Sequence, residues 1–67
     1  MKLNLLKAQR VKFGLNQKDM AKYLSIDVTT YSRKENGSIQ FKVNEINIIK
    51  KLFELNEKEL CEIFFDD

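Results

Sequence analysis

One face of a short predicted helix gathers side chains that could recognise hydrogen-bonding groups. The helix is predicted to run from Val28 to about Glu35, and steps of one, four and five residues return to the same side of a 3.6-residue turn. The face carries Val28, Thr29, Ser32, Arg33 and, at its end, Asn36. Methyl groups suit a thymine methyl, a hydroxyl donates or accepts, and a guanidinium can bind guanine through two hydrogen bonds. This set favours the reading of base-pair edges, although the same residue types are ordinary on a solvated helix.

Positive charge is concentrated in most of the chain and negative charge at its end. Residues 1–53 carry eleven Lys or Arg against four acids, whereas residues 54–67 carry one Lys against six acids. Ordinary solvated helix faces would explain the number of charges but not their segregation, which suggests that one end faces a polyanion. The candidates to neutralise phosphates are Lys18, Lys22, Lys42 and Arg33.

Composition excludes several other classes of protein. The chain has 67 residues, 43% of them hydrophobic, which is enough for one small core. It contains no His and a single cysteine, Cys61, so we expect no metal site, no cofactor, no disulfide and no catalytic constellation. We find no signal peptide and no apolar run long enough for a membrane span, and therefore expect a cytoplasmic protein.

Short helices are the elements that must position these side chains. Pro is absent and Gly occurs twice, which predicts an all-α fold of about five helices in a single domain spanning residues 1–67. A first helix is marked by an apolar stripe and ends at Gly14; the stripe comprises Leu3, Leu6, Val11 and Phe13. A second helix runs from about Gln17 to Leu24, with Asn16 and Asp19 as a capping box.

The second and third helices are separated by about three residues, which is the spacing of a helix-turn-helix. Asp27 ends this connection and is predicted to cap the third helix. A fourth helix shows an apolar stripe, and its members are Val43, Ile46, Ile49 and Phe53.

A fifth helix opens at an Asn56–Glu59 capping box and places Leu60, Ile63 and Phe64 on one face. Cys61 and Phe65 lie outside that face, so the helix is apolar on several sides. Either a second copy of the chain covers this surface, with Cys61, Phe64 and Phe65 as the dimer contact, or Phe65 folds back on its own core.

The stretch LNQKDMAKYLSIDVTTYSRKENG, residues 15–37, resembles the lambda-repressor, Cro and XRE family of helix-turn-helix regulators. The matching positions include Gln17, Ala21, Leu24 and the closing 35–37 Glu-Asn-Gly. Three positions depart from the family pattern. The family often has Pro where Phe41 or its neighbour stands, which leaves the path of the loop after Gly37 open. Lys34 stands where relatives are usually apolar, and we expect its stem to cover the core edge while its ammonium reaches solvent or phosphate. Ser25 stands where the turn often has Gly.

The resemblance implies a five-helix lambda-repressor-like domain that binds double-stranded DNA, commonly as a homodimer on a palindromic operator. The length of the chain leaves no room for an effector domain, so we expect no small-molecule effector. It implies that Gln17 contacts phosphate at the start of the second helix, and that Asn36 and the following loop, including Ser38, contact phosphate on the other side of the groove. It also implies a structural ion pair between Arg10 and Glu35.

Three classes of function compete. A transcriptional repressor or Cro-like switch protein fits the residues and the resemblance best. A protein-binding adaptor, such as an antitoxin-type partner, could use the same fold but would not need positive charge at the helix-turn-helix. The third class, an enzyme, is disfavoured because the sequence lacks a set of reactive groups.

Overall fold

The computed structural model describes residues 1–65, and over this range the chain forms five α-helices and no strand. They are α1 (Leu3–Lys12), α2 (Gln17–Leu24), α3 (Val28–Glu35), α4 (Val43–Leu52) and α5 (Glu57–Phe64). The predicted all-α class and number of helices are confirmed. Asp66 and Asp67, two of the six acids in the predicted acidic segment, lie outside the described residues. No helix within residues 1–65 combines the length and apolarity needed to cross a membrane.

Side-chain caps begin three of the helices where the sequence predicts them. At α2, the Asn16 side chain accepts from the Asp19 amide at 2.7 Å and the Asp19 side chain accepts from the Asn16 amide at 2.9 Å. The Asp27 side chain accepts from the amide at the third position of α3 at 2.7 Å. Asn56 and Glu59 repeat the reciprocal pattern at α5. Each cap satisfies amides that have no partner within the helix.

Left-handed residues end α1 and α2. Gly14 has φ +72°, and its amide and the next one donate back to carbonyls of α1. Ser25 ends α2 with φ 58° and ψ 41°, a conformation in which a side chain is disfavoured. The turn therefore needs a left-handed backbone angle, which Gly would adopt freely and Ser25 adopts with strain.

The core lies between all five helices. Helix α2 packs closely on α3, and α1 lies against both α3 and α5, while α4 packs on α2. The buried apolar side chains are Leu6, Met20, Ala21, Leu24, Tyr31, Ile49, Phe53, Leu55, Ile63 and Phe64. Phe41, in the connection before α4, packs edge-on against both Tyr31 and Phe64, which holds that connection to the core.

Three predicted stripe residues are exposed instead of buried, and one of them, Phe13, is 43% exposed with its ring 5.0 Å from that of Phe53. Val11 is 59% exposed and Val43 is 76% exposed. The inward positions of these helices are taken by charged residues, Arg10 in α1 and Glu45 in α4. The assignment of Val11 and Val43 to the core face was wrong because each charged residue is paired with a partner from α3.

Lys34 also departs from its prediction. Its side chain is buried, and the ammonium donates to Glu45 Oε1 at 2.6 Å instead of reaching solvent. A buried charge is stable only with a partner, and Glu45 supplies one from α4.

Candidate nucleic-acid interface

Helices α2 and α3 form one unit joined by residues 25–27. Ala21 of α2 is buried, and α2 packs closely on α3. The Ile26 amide donates to the Ala21 carbonyl at 3.0 Å, and the Ile26 side chain packs against the core. These contacts fix the direction in which α3 leaves the turn.

Helix α3 has one solvent face and one core face, as its period predicts. Val28 is 44% exposed, Thr29 and Arg33 are exposed, and Ser32 is partly buried between them and the body of the domain. Tyr31, at the opposite side, is fully buried. The predicted recognition residues therefore share one accessible surface that runs from the first turn of α3 at Val28 to its last turn at Arg33.

Glu35, at the end of α3, is the centre of a buried hydrogen-bonded cluster. Its Oε2 accepts from Arg10 Nε at 2.9 Å and from the Tyr31 hydroxyl at 2.6 Å. Its Oε1 accepts from Arg10 Nη2 at 3.2 Å and from Gln17 Nε2 at 3.3 Å. Arg10 also donates from Nη1 to the Leu15 carbonyl at 2.9 Å. The cluster thus joins α1, the start of α2 and the end of α3.

Electrostatics in this cluster favour the charged carboxylate. Burial alone would raise the pKa of Glu35, but hydrogen bonds from Arg10, Tyr31 and Gln17 and the Arg10 charge lower it below its usual value. Burial raises the pKa of Tyr31, and the bond to the Glu35 carboxylate raises it further. At the other end of α3, the Thr30 hydrogen bonds lower the pKa of Asp27.

A groove of about 210 Å³ runs beside the solvent face of α3. Three residues predicted to contact DNA, namely Gln17, Ser32 and Asn36, line it together. Asn4 and Lys7 of α1 line it as well, and the sequence reasoning missed them. Their place depends on how α1 crosses α3, so only their spacing of three residues on an exposed helix face could have suggested a shared role.

The other predicted phosphate contacts lie around this surface. Lys18 is exposed in the first turn of α2, and Ser38 and Lys42 are exposed in and after the connection from α3 to α4. Lys22 is also exposed but shares a different groove with Asp19 and Tyr23, apart from Gln17 and Ser32.

A comparison with protein families agrees with this geometry. A helix-turn-helix family model, of the Cro, C1 and XRE type, matches residues 6–60. The chain belongs to this helix-turn-helix family. No curated protein and no solved structure matches the chain.

Membership places this helix-turn-helix protein among DNA-binding transcription regulators. The match begins at Leu6 and ends at Leu60, so it covers the Arg10–Glu35 cluster, the α2–α3 unit and the connection to α4. The shared region therefore includes most of the surface described above, although Asn4, which also lines the groove, precedes it.

The fifth helix presents a different surface in this helix-turn-helix protein. Cys61 is exposed and Phe65 is 64% exposed. Phe64 is buried, with its ring 5.4 Å from that of Phe41, so it belongs to the core and not to the surface expected for a dimer contact. Phe65 does not fold into the core either, although its ring lies 6.5 Å from that of Phe64.

Proposed function

We propose that this protein is a sequence-specific repressor or Cro-like switch that binds a palindromic operator as a homodimer, with α3 in the major groove. The observation that carries the proposal is the solvent face of α3 lying beside a groove lined by polar side chains from α1, α2 and α3. Occupying an operator is sufficient to keep another protein off that DNA, so repression needs no further catalytic or effector surface.

Base readout is assigned to four residues of α3. Arg33 binds guanine through its guanidinium, Ser32 donates to or accepts from a base edge, and Val28 and Thr29 contact thymine methyl groups. Support comes from their place on the solvent face of a helix whose opposite face is anchored by Tyr31 and Glu35. A helix held in this way keeps its readers at fixed positions, which base recognition requires.

Phosphate contacts flank these readers. Gln17 stands at the start of α2, where the helix dipole already favours an anion, and its Nε2 is oriented by the bond to Glu35. Asn36 and Ser38 follow α3, and Lys18, Lys22 and Lys42 add positive charge. We add Asn4 and Lys7 of α1, since both line the groove beside Gln17 and Asn36.

A homodimer would place two copies of α3 about 34 Å apart, one turn of the duplex. The exposed Cys61 of α5 and Phe65, which follows α5, form the apolar surface that we assign to the contact between copies. Residues 1–67 then act as one domain, in the cytoplasm with the DNA that they bind.

Selection of bound sequences from random duplex DNA tests the proposal. An inverted repeat with half-sites about 10 base pairs apart is expected, followed by tight binding to the selected duplex and weak binding to a scrambled one. If no sequence is enriched, sequence-specific binding is refuted, and the surface would be one for a protein partner.

A matched pair of variants separates base readout from phosphate contact. We expect Arg33→Ala to weaken binding to the selected duplex by about 1 to 3 kcal/mol and to relax preference at one base pair. Lys18→Ala should weaken binding to selected and scrambled DNA alike, and reduce the slope of log affinity against log salt by about 0.9. Equal losses for Arg33→Ala on both duplexes would refute its assignment as a reader.

A further inference from the structure

Lys34 and Glu45 form a buried ion pair, which base readout and phosphate contact at the surface do not require. Lys34 is 3% exposed and Glu45 is 2% exposed. A pair of apolar residues would fill the same space without the cost of removing two charges from water. The stability of the core therefore does not explain why charged residues stand at these positions.

The pair spans the connection between α3 and α4. Backbones approach closely between α2 and α3, α1 and α5, α1 and α3, and α2 and α4, but α3 and α4 are not among these pairs. The salt bridge joins residues 11 positions apart in the chain, one on each side of residues 36–42. It thus links two helices that are not among the closely packed pairs.

Both ends of this connection are fastened. At the α3 end, the Ser38 amide donates to the Arg33 carbonyl at 2.8 Å and to Asn36 Oδ1 at 3.0 Å. At the α4 end, the Lys42 amide donates at 2.8 Å to Glu45 Oε1, the same oxygen that accepts from Lys34. The Lys34 ammonium therefore orients the Glu45 carboxylate, and this carboxylate in turn binds the backbone amide of Lys42.

We infer that the Lys34–Glu45 pair is a positioning clasp, which fixes Lys42 relative to the recognition helix so that one phosphate is gripped while α3 reads bases. The inference rests on the proposed function. Lys34 and Glu45 touch no DNA in this scheme; they act through Lys42, whose own side chain is exposed.

The test is the double variant Lys34→Met/Glu45→Leu, which removes the clasp but fills its volume with apolar groups. We expect it to fold, to keep the base preference of the parent, and to show a salt slope shallower by about 0.9, the loss of one phosphate contact. Lys42→Ala should give the same change in the parent, and almost no further change in the double variant.

Lys18→Ala is the matched control, since Lys18 is an exposed lysine of α2 away from the clasp. Its effect should be the same in the parent and in the double variant. A general loosening of the fold would weaken the Lys18 and Lys42 contacts together, so it cannot produce this pattern. An undiminished effect of Lys42→Ala in the double variant would overturn the clasp's role and leave the proposed function intact.

Amide hydrogen exchange of the unmodified protein provides a second measurement if the double variant does not fold. The amides of Ser38 and Lys42 should exchange as slowly as that of Tyr31, in the interior of α3. Fast exchange at Lys42 with slow exchange at Tyr31 would overturn the clasp. Failure of the parent to bind any duplex would overturn the proposed function instead.

Discussion

Replacing Arg10 by Met tests whether the Glu35 cluster holds the fold together. The variant keeps an apolar side chain of similar length but removes both Arg10 bonds to Glu35 and the bond to the Leu15 carbonyl. Glu35, 7% exposed, would keep only Tyr31 and Gln17 as donors and no opposite charge. Breaking a buried pair from one side costs about 3 to 5 kcal/mol, and the orphaned carbonyl adds about 1 kcal/mol.

The loss is comparable with the whole stability of a domain of this size, about 3 to 10 kcal/mol. Urea unfolding followed by helical circular dichroism measures it, with trimethylamine N-oxide added if the variant lacks a folded baseline. Lys12→Met is the control, since Lys12 is an exposed basic residue of the same helix, and its effect should stay within about 0.5 kcal/mol. A loss of less than about 1 kcal/mol for Arg10→Met would refute the reasoning, because the pair would then contribute no more than a solvent-exposed one.

Three further changes probe local features. Ser25→Gly should raise the free energy of unfolding by about 1 kcal/mol, since Gly adopts the left-handed turn without strain; a lower urea midpoint would contradict this. The pKa of Glu35 is lowered in the folded state, so the charged carboxylate stabilises the fold at neutral pH, and this stabilisation is lost as the pH falls below the ordinary value of 4.5. The free energy of unfolding in urea should therefore fall more steeply with decreasing pH for the parent than for Glu35→Gln. Parallel curves for the two proteins would exclude this dependence on Glu35. Tyr31→Phe removes one charge-assisted bond to Glu35 and should cost about 2 kcal/mol; an unchanged urea midpoint would mean that the 2.6 Å contact contributes nothing.

Local signals in the sequence were enough to place the helices. The caps at Asn16, Asp27 and Asn56 act within three residues, and each begins a helix where predicted. The bounds of α2 and α3 agree with the prediction at both ends. Caps are readable because donor and acceptor are neighbours in the chain.

Buried charges were the part that local reasoning could not find. Lys34 and Glu45 are polar by type, so a search for apolar periodicity assigns them to solvent and assigns Val43 to the core. Each becomes stable inside only because the other arrives from a different helix. Arg10 was paired correctly with Glu35 only through the family resemblance, since nothing within 20 residues of Arg10 indicates its partner.

The sequence was enough to predict the part of the candidate interface on α3, but not the part on α1. The exposed face of α3 follows from its period alone, whereas the place of Asn4 and Lys7 depends on the packing of α1 against α3. Likewise, the sequence could not separate Phe64 from Phe65 as core and surface, because the ring of Phe41 that covers Phe64 comes from a distant connection.

The contact between α1 and α5 makes the anchoring of α1 depend on a helix that is synthesised well after it. Leu5 and Ala8 of α1 lie beside Ile63, and the Lys2 amide donates to the Ile63 carbonyl at 3.0 Å. A helix of 10 residues is not stable alone in water. During synthesis, α1 is therefore not anchored until α5 has also been made. Since α1 also carries Arg10, we expect a chain cut between α4 and α5 to leave Glu35 poorly paired and its core open to proteases.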